Sequence, residues 1–72
     1  MKQITYNEDS RRLELDGNEF HCGDSLEVLI TDDLGAAEWI QTRVEADRRG
    51  KWYLVGLSEV EPVGLTARIN DK

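Results

Sequence analysis

The chain has 72 residues, which is one small domain, and its single Cys22 rules out an internal disulfide. A chain of this size buries only about 60% of the surface it exposes when unfolded, which leaves little room for a deep pocket. The net charge of −6, from 15 acidic and 9 basic residues, argues against general nucleic-acid binding, which draws on a basic excess.

Alternation and turn formers dominate, and no helical periodicity competes with them. QITY (3–6) and RRLEL (11–15) read as strands around the polar cluster NEDS, with Ile4 and Tyr6 on one face of the first and Leu13 and Leu15 on one face of the second. Asp16-Gly17 is a two-residue hairpin signal, because a type I′ turn needs positive φ at both central positions. Closing that turn between Leu15 and Asn18 sets Leu13 opposite Phe20. Gly23-Asp24 interrupts, SLEVLI (25–30) follows with Leu26, Val28 and Ile30 in phase, and TDDLGAA (31–37) is a loop.

EWIQTRVEA (38–46) is the clearest strand. Ile40, Thr42, Val44 and Ala46 share one face, and Trp39, Gln41, Arg43 and Glu45 the other. DRRG turns the chain and KWYLVGL (51–57) returns. SEVEP allows a short helical turn before Pro62, and GLTARI (64–69) forms a last strand with Leu65, Ala67 and Ile69 in phase. Short strands with tight turns predict an all-β fold: a small SH3-like barrel of five to seven antiparallel strands with an N-terminal hairpin.

The stretch Trp52–Leu57 is apolar on both faces. If the turn pairs Ala46 with Lys51, then Val44 faces Tyr53, Thr42 faces Val55 and Ile40 faces Leu57 across the barrel interior. The second face then holds Trp52 opposite Glu45 and Leu54 opposite Arg43, with Arg43 able to stack on Trp52 and Trp39 at the far end. Gly56 leaves space for a bend. Either the N-terminal hairpin covers this face with Ile4, Tyr6, Leu13 or Phe20, or the face is a binding patch, since Trp and Arg are enriched at binding hot spots.

Catalytic and metal chemistry find little support. On a strand, His21 and Cys22 point to opposite faces, so the imidazole does not reach the thiol, and Cys22 reads as a small core residue. One Cys and one His with no recurring spacing make no zinc site, and Asp32-Asp33 lacks the alternating carboxylates of a calcium loop. No catalytic residue, metal or cofactor is expected. Arg48, Arg49 and Lys51 make a small basic tip on an acidic body. No run is long and apolar enough to span a bilayer, and MKQITYNEDS lacks a signal-peptide core, so a cytoplasmic location is expected.

HCGDSLEVLI (21–30), W-I-x-T-R-V-E (39–45), G-x-W-Y-L-V-G (50–56) and G-L-x-A-R-I (64–69) together resemble a family of very small Bacillota proteins described as a domain of unknown function. YNEDSRRLELDG also fits, while DDLGAAE (32–38) is longer than usual. The resemblance implies a freestanding cytoplasmic SH3-like barrel, often encoded near mobile elements, and brings no catalytic residues with it.

The expected function is a non-enzymatic binding module, an adaptor or inhibitor with a protein partner, working as a monomer or weak homodimer away from membranes. Its binding residues are expected to be Trp39, Arg43, Trp52 and Leu54, with Arg48 and Arg49 at the rim. Asp32, Asp33 and Glu38 are available to a basic partner surface. Two alternatives stand beside it: nucleic-acid binding through the basic 48–51 turn, and small-ligand binding by an oligomer in a pocket beside the N-terminal hairpin.

Overall fold

Two-residue alternation and turns led by Asp, Asn and Gly cut the chain into seven short strands. They are seen in a computed structural model that describes residues 2–69. The strands are β1 (Thr5–Asn7), β2 (Arg12–Leu15), β3 (Asn18–Glu19), β4 (Ser25–Thr31), β5 (Ala37–Ala46), β6 (Trp52–Leu54) and β7 (Ala67–Arg68). All pairings are antiparallel, giving a three-stranded sheet β1-β2-β3 and a four-stranded sheet β6-β5-β4-β7. The described residues contain no helix. The all-β expectation holds, but SEVEP forms no helical turn. The chain there makes successive β-turns, with Leu57 N–H donating to Leu54 C=O and Val60 N–H to Leu57 C=O.

The two sheets are stitched by the first described residues. Ile4 N–H donates to Leu65 C=O at 2.9 Å, Gly64 N–H to Ile4 C=O at 2.8 Å, and Ala67 N–H to Lys2 C=O at 3.0 Å. Lys2–Ile4 therefore continue β1 alongside 64–67, and the sheets wrap into one open barrel. Its core is Ile4, Leu13, Leu15, Phe20, Leu26, Val28, Val44, Leu54 and Ala67, with Ile30, Ile40, Trp52, Leu57 and Leu65 packed around it.

The first hairpin is as its sequence requires. Asp16 (φ 55°) and Gly17 (φ 81°) both take positive φ, Leu15 pairs with Asn18, and Phe20 N–H donates to Leu13 C=O at 2.8 Å. Leu26 and Val28 are fully buried on the inner face of β4.

The β5–β6 hairpin departs from its expected register. Ala46 pairs with Trp52, Glu45 with Tyr53 and Val44 with Leu54, one residue off the pairing that a four-residue turn would give. The cause is the loop. Gly50 N–H donates to Asp47 C=O and Asp47 N–H to Lys51 C=O, so a tight turn is followed by a bulge at Gly50 (φ 81°), where an L side chain would be strained. Asp47 Oδ1 caps the loop by accepting from Arg49 N–H and Lys51 N–H, at 2.8 and 2.9 Å.

A one-residue slip turns every side chain to the opposite face. Trp52 and Leu54 enter the barrel beside Ala46 and Val44, and Tyr53 turns outward. Burying a side chain of this size contributes about 1.5–3 kcal/mol. That gain opposes the expected register, which would leave Leu54 outside among charges. β6 then stops at Leu54, where the turn through Val55-Gly56 begins.

Candidate functional site

The slip separates residues that the sequence grouped together. Trp39 and Arg43 lie on the outer face of the four-stranded sheet, opposite Leu29 and Ser25 respectively. Arg43 is far along β5 from Trp39 and is not the residue stacked on Trp52. That place belongs to Arg12, whose guanidinium carbon is 5.9 Å from the Trp52 ring centroid. Leu54, at 0% exposure, is core and offers a partner nothing. The expected six-residue patch is therefore not one surface.

Trp39 is half-buried under Arg68, whose guanidinium carbon sits 3.9 Å above the ring and whose Nε donates to Glu27 Oε1 at 2.6 Å. This stack is satisfied within the chain. A groove of about 480 Å³ passes beside it, between Trp39 and the Asp16 turn, with the Lys2–Asp16 ion pair at its rim.

Trp52 has a different setting. Its Nε1–H donates to the C=O of Arg11 at 2.8 Å, joining β6 to the tip of the β1–β2 hairpin across a line where no strand pairing exists. The indole closes this seam from within. Arg11 holds φ 60°, a strained value for a residue with a side chain, at the point where its carbonyl receives the indole. Arg12 Nη1 donates to Phe20 C=O at 3.3 Å, which holds its guanidinium beside Trp52.

Arg11-Arg12 ends the first hairpin turn, and Arg48-Arg49 with Lys51 make the loop that runs into Trp52. Among the described residues Lys2, Arg68 and His21 have carboxylate partners, whereas Arg11, Arg12, Arg48, Arg49 and Lys51, like Arg43 on the outer face, form no salt bridge. Asp47, which caps the loop, and Glu61, which shares the groove with Lys51, form no salt bridge with these cations among the described residues. Of these cations Arg12 lies over the Trp52 ring and Lys51 lines the groove beside it, while Arg48 and Arg49 precede Lys51 on the same loop. The sequence shows the two Arg-Arg pairs, one at the end of the first turn and one in the middle of the 47–50 turn, but not that Arg12 comes to lie over Trp52, which depends on the Trp52–Arg11 hydrogen bond.

Below the seam lies an open groove of about 340 Å³ lined by Tyr6, Leu13, Trp52, Pro62 and Val63, with Lys51 and Glu61 as its charged residues. Tyr6 and Val63 are exposed, at 44% and 43%. The groove exists because the pairing of Lys2–Ile4 with 64–67 cannot extend. Two residues beyond Gly64 and Ile4, the partner of Tyr6 C=O would be Pro62, which has no N–H.

The remaining candidates stand apart. His21 and Cys22 are both exposed, correcting the expectation of a core thiol. They sit in a turn rather than a strand, closed by Asp24 N–H to His21 C=O and by His21 N–H to Asp24 Oδ2, so strand alternation does not apply. Asp32 is occupied as a loop cap, accepting from Leu34 N–H and Ala36 N–H at 2.9 Å each, while Asp33 and Glu38 are exposed. Among the described residues no group of three or more His, Cys, Asp or Glu is placed to hold a metal. No helix among them is long and apolar enough to cross a membrane.

Comparisons with curated proteins and with solved structures find no match. A family model described as a domain of unknown function (DUF5348) matches residues 2–69. The match takes in both sheets, the stitch between 2–4 and 64–67, and every residue of the Trp52 seam. The chain belongs to the DUF5348 family.

Proposed function

We propose that this chain is a non-enzymatic binding module, an adaptor or inhibitor whose protein partner docks at the Trp52 seam. The observation that supports it is a half-buried tryptophan with Arg12 over its ring and Lys51 in the open groove beside it, on a hairpin whose loop also carries Arg48 and Arg49, none of these cations having a carboxylate partner among the described residues. Cations left unpaired on a protein of net charge −6 can pair with an acidic partner without breaking an existing ion pair, and they repel a basic one. Trp and Arg are also the residue types on which interface energy concentrates. Of the residues expected from the sequence, Trp52, Arg48 and Arg49 belong to this surface, and Trp39, Arg43 and Leu54 do not.

The SH3-like label, a cytoplasmic location, and an origin in Bacillota or on a mobile element rest on the sequence resemblance and the order of elements. An antagonist of a host factor fits such an origin. A second reading, nucleic-acid binding, gains from the enlarged basic cluster. It loses because Trp52 has its indole packed against the core and flanked by Arg12, leaving no free face for base stacking.

The test is affinity capture with charge-reversed variants. Arg48→Glu with Arg49→Glu should lose the partner, while Arg43→Glu on the outer face should retain it. The reverse pattern would move the site to the outer sheet. Binding of an oligonucleotide with a steep salt slope, lost in the first variant, would establish the second reading instead.

A further inference from the structure

The seam offers a partner more than charge. Antiparallel pairing alternates between residues that bond across a pair of strands and residues whose N–H and C=O point away from it. Asp47 and Lys51 bond to each other, and Val55 N–H donates to Arg43 C=O. By that alternation the main-chain N–H and C=O of Trp52 point away from β5, toward the groove, and β6 pairs with no other strand. Across the groove, Ile4 uses its outward N–H and C=O on Leu65 and Gly64, so Tyr6, two residues on, turns its own the same way. Among the described residues neither Tyr6 nor Trp52 has a backbone partner on that side.

From this we propose, resting on the reading of the seam as a docking site, that the partner contributes an extended acidic segment. It adds as a short strand to the free edge of β6 at Trp52. Main-chain bonds to Trp52 hold the segment's backbone, as in other strand-addition complexes. Side chains on one side of the segment lie on Tyr6, Pro62 and Val63. Carboxylates reach Lys51 in the groove, Arg48 and Arg49 before it on the same loop, and Arg12 over Trp52. Extended backbone is specified by the unpaired edge, and acidity by Arg12 and the cations of the 48–51 loop, which hold no carboxylate among the described residues. A polynucleotide has no backbone N–H or C=O of this kind and satisfies only the second requirement.

The experiment is selection of short random peptides displayed on a surface against the wild-type chain, with counter-selection on Arg48→Gln, Arg49→Gln. Both positions are exposed loop residues outside the core, and circular dichroism checks that the variant folds. The expected result is a set of peptides rich in Asp and Glu that slow hydrogen exchange at the Trp52 main-chain amide. Their affinity should fall by about tenfold or more when the peptide backbone is N-methylated. Acidic peptides that bind without protecting that amide, or that tolerate N-methylation, would overturn strand addition while leaving the docking surface in place. Selected peptides with no acidic bias, or none selected while oligothymidylate binds, would overturn the acidic segment and the docking reading together.

Discussion

The two tryptophans of this chain look alike in sequence and have opposite positions in the fold. Each is half-buried and each has an arginine over its ring, Arg68 above Trp39 and Arg12 beside Trp52. Trp39 lies on the outer face of the four-stranded sheet, where Glu27 completes its stack. Trp52 enters the barrel and ties β6 to the Arg11 carbonyl. What separates them is one glycine. Without the bulge at Gly50 both rings would share a face, and the seam would lose its closure. The number of residues in a hairpin loop decides which side of the sheet an entire strand serves.

Substitutions at the two sites should therefore differ in cost. The largest effect is expected at Leu54, the residue that the slip carries inside. Leu54→Ala should destabilise by about 2–5 kcal/mol, as for other buried leucines, read as a lower urea midpoint with unchanged slope. A change within about 0.5 kcal/mol, the usual surface value, would place Leu54 outside and restore the other register.

Next is the loop itself. Gly50 has open space around it, so Gly50→Val is penalised by backbone conformation alone, by about 1–2 kcal/mol. Gly50→Asn should be tolerated better, because Asn visits the left-handed region more readily. Equal effects of the two would mean that Gly50 is not held there in solution.

Trp52→Phe keeps most of the apolar contact and removes the indole donor. It should cost about 1 kcal/mol, the net worth of one hydrogen bond. Trp39→Phe should cost less, since the ring lies on the outer face and its indole N–H has no hydrogen-bond partner within the described chain. Arg68→Ala should be the smallest change, at about 0.5–1 kcal/mol, because Arg68 is half-exposed and its ion pair is screened by solvent. If Trp39→Phe proved the costlier of the two tryptophan variants, the comparison would be inverted.

Much of this was legible from residue order. Asp16-Gly17 fixes the first hairpin through φ alone, and alternation in SLEVLI and EWIQTRVEA assigns the inner faces of β4 and β5. What failed did so at turns. In DRRG the sequence shows that the chain reverses but not how many residues the reversal takes, and the answer depends on Asp47 capping two amides with one carboxylate oxygen. The same arrangement recurs at Asp32–Ala36, where Asp32 caps Leu34 and Ala36 and Gly35 carries the positive φ. D-x-x-G-x is thus a repeated local signal in this chain, and reading it would have supplied the register. Cys22 was misplaced for a related reason, because a turn was read as strand. The site was legible only in fragments. Arg48 and Arg49 stand out as a basic tip, but Arg11 and Arg12 are brought to Trp52, at the end of that loop, by a contact between residues 41 positions apart.

The central claim is the β5–β6 register, and nuclear Overhauser contacts between α-protons test it most directly. In the register described here Val44–Leu54 and Ala46–Trp52 are the non-hydrogen-bonded pairs, whose backbones approach most closely. Strong Hα–Hα contacts for those two pairs are the expected result. Strong contacts between Val44 and Tyr53 and between Ala46 and Lys51, the non-hydrogen-bonded pairs of the other register, would contradict it, returning the Trp52 and Leu54 side chains to the outer face and dissolving the seam.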